Sequence, residues 1–369
     1  MMMEVDNDTT IPVSDASAVN ANIPYIRDKD YYFEDESVIL LAGTRLFKIH
    51  RTLFAKGSPL FQTMFSLPQD AATQEGQSDE RPILFHDSPQ DFRALCWALY
   101  SSPPEILAQQ YPDTVDISKM ISIAALSLKY DFRTLMNWAL DTLELLAKRP
   151  GSFIAKVKLW SRVGRIYTLA KQCSRDLLLR RIEEDWLYRI SVGEPHAFRN
   201  ALIVAESFPE HRAFHGKAYY SHLKALKTFS SKAPETDIRF IHEVTSVKND
   251  HLQGLNDQQK TRIQRGFWSL SLIKIQLLRT PRLVDNPACV THARGCVPTW
   301  REWWEDLHNE AECKEKPLED PGEIIEAAAK KAIQPLKSIQ SPCDAFIRAQ
   351  VQKMVEDFSG SLADYFMIP

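Results

Sequence analysis

The stretch Arg45-Leu46-Phe47-Lys48-Ile49-His50-Arg51-Thr52-Leu53-Phe54-Ala55-Lys56-Gly57-Ser58-Pro59-Leu60-Phe61 changes its hydrophobic period partway along. Up to Ile49 it alternates. Leu46 and Lys48 face one way and Phe47 and Ile49 the other, which is the signature of a strand. From Thr52 the spacing turns helical. Ser58 suits a helix N-cap and Pro59 the first helical position, and Leu60, Phe61, Met64 and Phe65 follow at helical spacing. A strand that runs straight into helices points to a mixed α+β unit.

Working outward, Ser37-Val38-Ile39-Leu40-Leu41 reads as a second strand, joined to the first through an Ala42-Gly43-Thr44 hairpin turn. Residues 69–80 form a polar, acidic loop, and Arg81-Pro82-Ile83-Leu84-Phe85 a third strand at a sheet edge. Ser88-Pro89-Gln90-Asp91 repeats the cap-plus-proline pattern ahead of Phe92, Leu95, Leu99 and Tyr100. Asp116 opens a further helix, Lys129-Tyr130-Asp131 is a turn, and Leu135, Trp138, Ala139, Thr142 and Leu146 make the next apolar stripe. Pro150-Gly151 closes this unit. Beyond it nearly every pattern is helical, and the run Phe267-Trp268-Ser269-Leu270-Ser271-Leu272 is expected to be buried. The expected division is a disordered tail over 1–26, an α+β domain over 27–149 and an all-α domain over 150–369.

Composition narrows the function classes. The chain has 369 residues, 44% hydrophobic and 25% charged, which excludes wholesale disorder, and its net charge of −3 argues against a broad electrostatic grip on nucleic acid or an anionic membrane while leaving room for a local basic patch. Glycine is scarce at 12 residues, which disfavours glycine-rich nucleotide folds and β-propellers. The first residues lack a signal-peptide pattern, no apolar run is long enough to span a bilayer, and six scattered cysteines do not make a disulfide framework. A cytoplasmic or nuclear location with reduced thiols is expected.

Four motifs fall in order over about residues 31–146: Phe47-Lys48-Ile49-His50-Arg51, the Ser58-Pro59-Leu60-Phe61 helix start, Met64-Phe65, and Leu128-Lys129-Tyr130-Asp131 before a closing helix. In this order they resemble the BTB/POZ family. The rest of the chain resembles the helical extension of BTB proteins of mushroom-forming fungi, through Ala218-Tyr219-Tyr220, Arg265-Gly266-Phe267-Trp268-Ser269-Leu270, Cys289, His292, Cys296, Trp300 and Trp304. Asp35-Glu36 stands where those proteins have Asp-Gly, and Cys343-Asp344-Ala345-Phe346 is similar to a Cys-x-x-Cys that has lost its second cysteine.

The resemblance implies an α+β BTB/POZ domain followed by an all-α domain, acting as a non-enzymatic protein-interaction module that forms a homodimer or BTB heterodimer and recruits a partner. The implied interaction surface comprises Tyr31, Tyr32, Phe33, Leu53, Phe54, Leu60, Phe61, Met64, Phe65, Leu67 and Gln69. Some relatives are substrate adaptors for cullin-type ubiquitin ligases and carry an apolar-x-Glu motif; Leu67-Pro68-Gln69 is the equivalent here, and its Gln lacks the charge. A transcription or chromatin role is a further alternative, without the zinc fingers or basic motif that usually accompany it.

One constellation carries chemistry of its own. Cys289-x2-His292-x3-Cys296 has the spacing of structural zinc ligands. Cys343 is the first choice for a fourth ligand, with Cys313 and His308 as alternatives; the competing reading is a set of buried thiols packing as small apolar groups. His50 and Arg51 are read as fixing the strand-to-helix junction, since no nearby residue offers a carboxylate or nucleophile at a characteristic spacing. Trp300, Trp303 and Trp304 are expected to pack on their own domain, leaving Glu302, Glu305 and Asp306 in water. No hydrolase, metalloprotease or phosphate-loop motif is present.

Overall fold

Gly43 sets the hairpin. It sits at φ +56°, in the left-handed region, at the first of two turn residues between β2 (Val38–Ala42) and β3 (Arg45–Ile49). The antiparallel register pairs Leu40 with Phe47 and Ala42 with Arg45. The computed structural model describes residues 25–35, 37–68, 75–151, 153–231, 254–313, 320–333 and 341–367. Two further strands flank the hairpin: β1 (Ile26–Tyr32) runs parallel to β3, and β4 (Ile83–Phe85) runs parallel to β2 at the opposite edge.

The two faces of the hairpin bury different things. Val38, Leu40, Ala42, Phe47 and Ile49 join the main core, with Phe54, Phe61, Phe85, Phe92, Leu95, Cys96, Leu126, Tyr130 and Phe132. Ile39, Leu41 and Leu46 form a smaller cluster on the other side, covered by Tyr25 and Tyr32. All of β2 is buried, since both its edges and both its faces are covered.

The helices of this unit are α1 (Arg51–Gly57), α2 (Pro59–Ser66), α3 (Pro89–Tyr100), α4 (Pro103–Ala108), α5 (Ile117–Lys129) and α6 (Arg133–Ala147). Three of their starts follow from local side-chain chemistry. Ser58 accepts from the Phe61 N–H, Ser88 from Asp91 and Asp116 from Lys119, each satisfying a donor that the helix leaves unpaired. Ser58 also donates from Oγ to the Tyr130 carbonyl at 2.5 Å, tying α2 to the turn after α5.

Strand β1 departs from the expected tail. It begins at Ile26 and has no apolar alternation. Besides its ladder with β3 and the packing of Tyr31 and Tyr32, charge holds it. The Asp28 carboxylate is fully buried and accepts from Arg93 Nη1 at 2.6 and 2.7 Å, with Arg45 3.6 Å away. The rest of the expected tail, 1–24, lies outside the described residues.

The chain divides into two units, Met1–Leu143 and Glu144–Pro369, with the division inside α6. Among the described residues the regular elements of the second unit are helices: α7 (Phe153–Val157), α8 (Trp160–Gln172), α9 (Asp176–Ser191), α10 (Ala197–Glu206), α11 (Arg212–Ser231), α12 (Asp257–Leu277), α13 (Val297–Cys313), α14 (Pro321–Lys331) and α15 (Ser341–Phe366). Its core is aromatic, with Trp186, Tyr167, Phe214, Tyr219 and Phe366 fully buried. Backbones approach closely where α11 meets α15: a Cβ on Gly216 would lie 2.5 Å from the Ala363 nitrogen. Among the described residues, no helix is long and apolar enough to cross a membrane.

The expectation that Phe267-Trp268-Ser269-Leu270-Ser271-Leu272 is buried is corrected. Leu270 is buried, but Phe267, Trp268 and Leu272 lie on the outside of α12. A continuous apolar run wound into a helix points in every direction, and only the side carrying Ile263, Gly266, Leu270 and Leu277 meets the core.

Candidate metal centre

Residues 278–296 leave α12 and return to α13 through a short π-helical turn over His292–Cys296. Trp300 and Trp304 anchor the far side of this segment. Both are buried, and their indole N–H groups donate to the carbonyls of Pro281 at 2.8 Å and Leu277 at 2.9 Å. Trp303 stacks on Trp300, with ring centroids 5.1 Å apart, while Glu302, Glu305 and Asp306 are exposed, as the spacing predicts.

The anchored segment delivers three donors to one point. Cys289, His292 and Cys296 meet Cys343 from the first turn of α15, and the four candidate ligand atoms all lie within 4.8 Å of one another. All four residues are buried. Cys289 Sγ is 3.8 Å from Cys296 Sγ, and His292 Nδ1 is 3.3 Å from Cys343 Sγ. A zinc tetrahedron with ordinary bond lengths has S···S edges of about 3.8 Å and S···N edges of about 3.6 Å. The same separation is far too long for a disulfide, whose sulfurs lie about 2.05 Å apart.

The surroundings supply polar contacts to the sulfurs. Asn286 Nδ2 donates to Cys343 Sγ at 3.6 Å, and the Thr291 hydroxyl lies 3.7 Å from Cys289 Sγ. Such contacts orient sulfur ligands and disperse their charge. The thiols do not hold their protons equally. A hydrogen bond from Cys343 keeps Cys289 below the usual thiol range, while burial pushes Cys343 up to about 12. His292 Nε2 is buried with no hydrogen-bond partner among the described residues, so the ring makes its polar contact through Nδ1, into the sulfurs. Three thiols and one imidazole can close a divalent cation in a four-coordinate shell, leaving no position for substrate.

Cys343 therefore takes the fourth place. Of the alternatives, His308 Nε2 lies 3.1 Å from the Leu277 carbonyl instead, and the Cys313 side chain lies outside the described residues. Asn286 and Thr291 are additions that spacing alone does not signal, since neither residue type marks a metal site.

The interaction residues named from the sequence scatter over different environments in the first unit. Leu60 and Leu67 are exposed, and Leu53, Met64 and Phe65 are half-buried. Tyr31 packs on the main core and Tyr32 on the smaller cluster, with its hydroxyl donating to Asp79 at 2.5 Å. Phe33 packs on both His50 and Tyr100, with centroids 4.8 Å away in each case. Phe54 and Phe61 are corrected as surface residues: both have no exposed area, because they point from α1 and α2 into the aromatic core. Gln69 lies outside the described residues.

His50 has the carboxylate partner that its neighbourhood in sequence does not show. Nε2 lies 2.8 Å from Asp35 and Nδ1 2.9 Å from the Tyr100 hydroxyl, and the hydrogen bond to His50 holds the Asp35 carboxyl below its ordinary range. The three residues join the segment before β2, the start of α1 and the end of α3, which makes them a junction clamp. No protein-family model matches the chain, and no curated protein matches it.

Proposed function

We propose that this chain is a non-catalytic protein-interaction module of the BTB/POZ type, whose first unit self-associates or pairs with another such domain. The observation that carries this reading is the outer side of α2 together with its C-cap residue, Leu67. Leu60 and Leu67 are exposed at 43% and 59%, with Met64 and Phe65 only half covered. Apolar side chains left in water on one short helix gain stability when a second surface removes them from it. The hairpin, its two following helices and the Ser58 cap accord with the motif order that suggests the family.

In the second unit, we infer that Cys289, His292, Cys296 and Cys343 hold a structural zinc. The support is the donor set itself, its burial and its separations. The metal pins the 281–298 loop to the start of α15, so its binding energy becomes folding energy for this part of the unit.

Light scattering of the full chain tests the interaction reading. At tens of micromolar, where specific interfaces are commonly populated, the dimer mass is expected. Leu60→Glu with Leu67→Glu returns the monomer with the far-ultraviolet circular dichroism unchanged, since neither side chain is in the core. A strict monomer at that concentration overturns the self-association.

A further inference from the structure

Over residues 263–278, α12 and the residue that caps it carry apolar side chains on two opposite sides. Ile263, Gly266, Leu270 and Leu277 fill the inner face. The outer face carries Phe267, Trp268, Leu272, Ile275 and Leu278, exposed at 54%, 67%, 47%, 54% and 54%. At about 100° per residue, these five fall within one arc of roughly 140°. They present on the order of 500 Å² of apolar surface, near the top of what a monomer usually leaves uncovered. A helix that is hydrophobic all round is ordinarily covered by something.

The rim says what. Arg265 and Arg279 are exposed at the two ends of the stripe, and Lys274 lies half-buried at its margin. None of the three side chains has an ion-pair or hydrogen-bond partner among the described residues, whereas Arg262 pairs with Glu206 and Lys260 with Asp257. After Asp257, α12 carries no carboxylate. Among the residues of α12 and its C-terminal flank, the apolar stripe is therefore bordered by positive charge alone.

That charge discriminates between occupants. A second copy of the helix packed antiparallel would set Arg265 against Arg279, and packed parallel would set each against itself; like-charge juxtaposition of this kind disfavours the pairing. An anionic bilayer would meet a chain of net charge −3, gaining about 1 kcal/mol from each of only a few cations. An acidic amphipathic helix satisfies both the stripe and its rim. We propose that the outer face of α12 docks such a helix from a partner protein, its apolar side chains at i, i+3/i+4 and i+7 seated on Trp268, Leu272 and Ile275, and its carboxylates meeting Arg265 and Arg279. The site lies wholly in the second unit and is independent of the reading given for the first.

The probe is a synthetic helical peptide of about 18 residues with leucines at those positions and glutamates on both flanks, titrated calorimetrically into the full-length chain. Its controls are a twin with lysine for glutamate and phosphatidylserine vesicles. The glutamate peptide is expected to bind in the micromolar range and the lysine twin at least about tenfold more weakly. Trp268→Ala should weaken binding by about tenfold with the thermal midpoint unchanged, as for an exposed aromatic anchor. Arg265→Glu with Arg279→Glu should reverse the preference between the two peptides. Several results overturn the proposal: equal binding of the twins, no binding of either, or tighter binding to vesicles. So does a monomer produced by Trp268→Ala, which would reveal a second copy as the occupant. Shielding of Trp268 from acrylamide in the free chain, measured against Trp268→Phe, would place the chain's own residues on the stripe.

Discussion

Replacing Ser58 by alanine removes two interactions at one buried atom. The hydroxyl caps α2 by accepting from the Phe61 N–H at 3.1 Å, and it donates to the Tyr130 carbonyl at 2.5 Å. Ser58 has no exposed area, so water does not replace either bond. Loss of a cap costs about 1 kcal/mol. A buried carbonyl deprived of its donor costs roughly 1–3 kcal/mol more. The sum is about 2–4 kcal/mol, which lowers the midpoint of a domain of this size by on the order of 10 °C. Ser88→Ala is the internal control, since Ser88 caps α3 through the same geometry, at 3.0 Å, in an exposed setting. It should cost about 1 kcal/mol alone. Scanning calorimetry of the full chain, with urea unfolding as a second probe, measures both. Equal losses for the two variants would refute the argument that the link from Ser58 to Tyr130 ties α2 to the turn after α5.

Further outcomes follow from the packing and the charges. Arg93→Met leaves the Asp28 carboxylate buried with Arg45 as its remaining cation, and should cost about 3 kcal/mol in urea unfolding, more than an exposed ion pair would. Gly266→Ala places a Cβ about 1.9 Å from the Phe366 ring; it should destabilise the second unit by roughly 1–3 kcal/mol, and Phe366→Leu in the same chain should recover part of that loss. His215 is depressed to about 4 by burial, with Arg262 and Arg212 adding to the effect. Its folded value lies below its unfolded one, so its contribution is intact above about pH 6.5 and is lost as pH falls toward 4, amounting to about 3 kcal/mol at most. The stability difference between the wild-type chain and His215→Phe should therefore shift against the wild type across that window, and a flat difference would count against the burial argument.

The parts legible in the sequence are those set by neighbours in the chain. The caps at Ser58, Ser88 and Asp116, the Gly43 turn and the alternation in β3 all depend on residues within a few positions. Strand β1 was not legible, because part of its determinant is a buried ion pair between residues 65 positions apart and its side chains show no alternation. The partner of His50 was hidden for a similar reason: Asp35 comes within reach only when the segment before β2 lies beside the start of α1. Three of the four candidate metal donors share one loop and announce themselves by spacing. The fourth depends on where α15 begins, which no spacing rule fixes. The outer face of α12 misleads in the other direction, since a contiguous apolar run looks buried until the helix divides it into two sides.

The most direct test is the metal content of the full-length chain purified without chelator, by elemental analysis, with all thiols confirmed reduced. The Cys289, His292, Cys296 and Cys343 site predicts about one equivalent of zinc, sharply reduced in Cys343→Ser and Cys289→Ser, where only three protein ligands remain. Cys96→Ser, in the core of the first unit, should leave the content unchanged. Zinc well below one equivalent in the reduced wild-type chain would contradict the metal centre and leave four buried groups packed against one another.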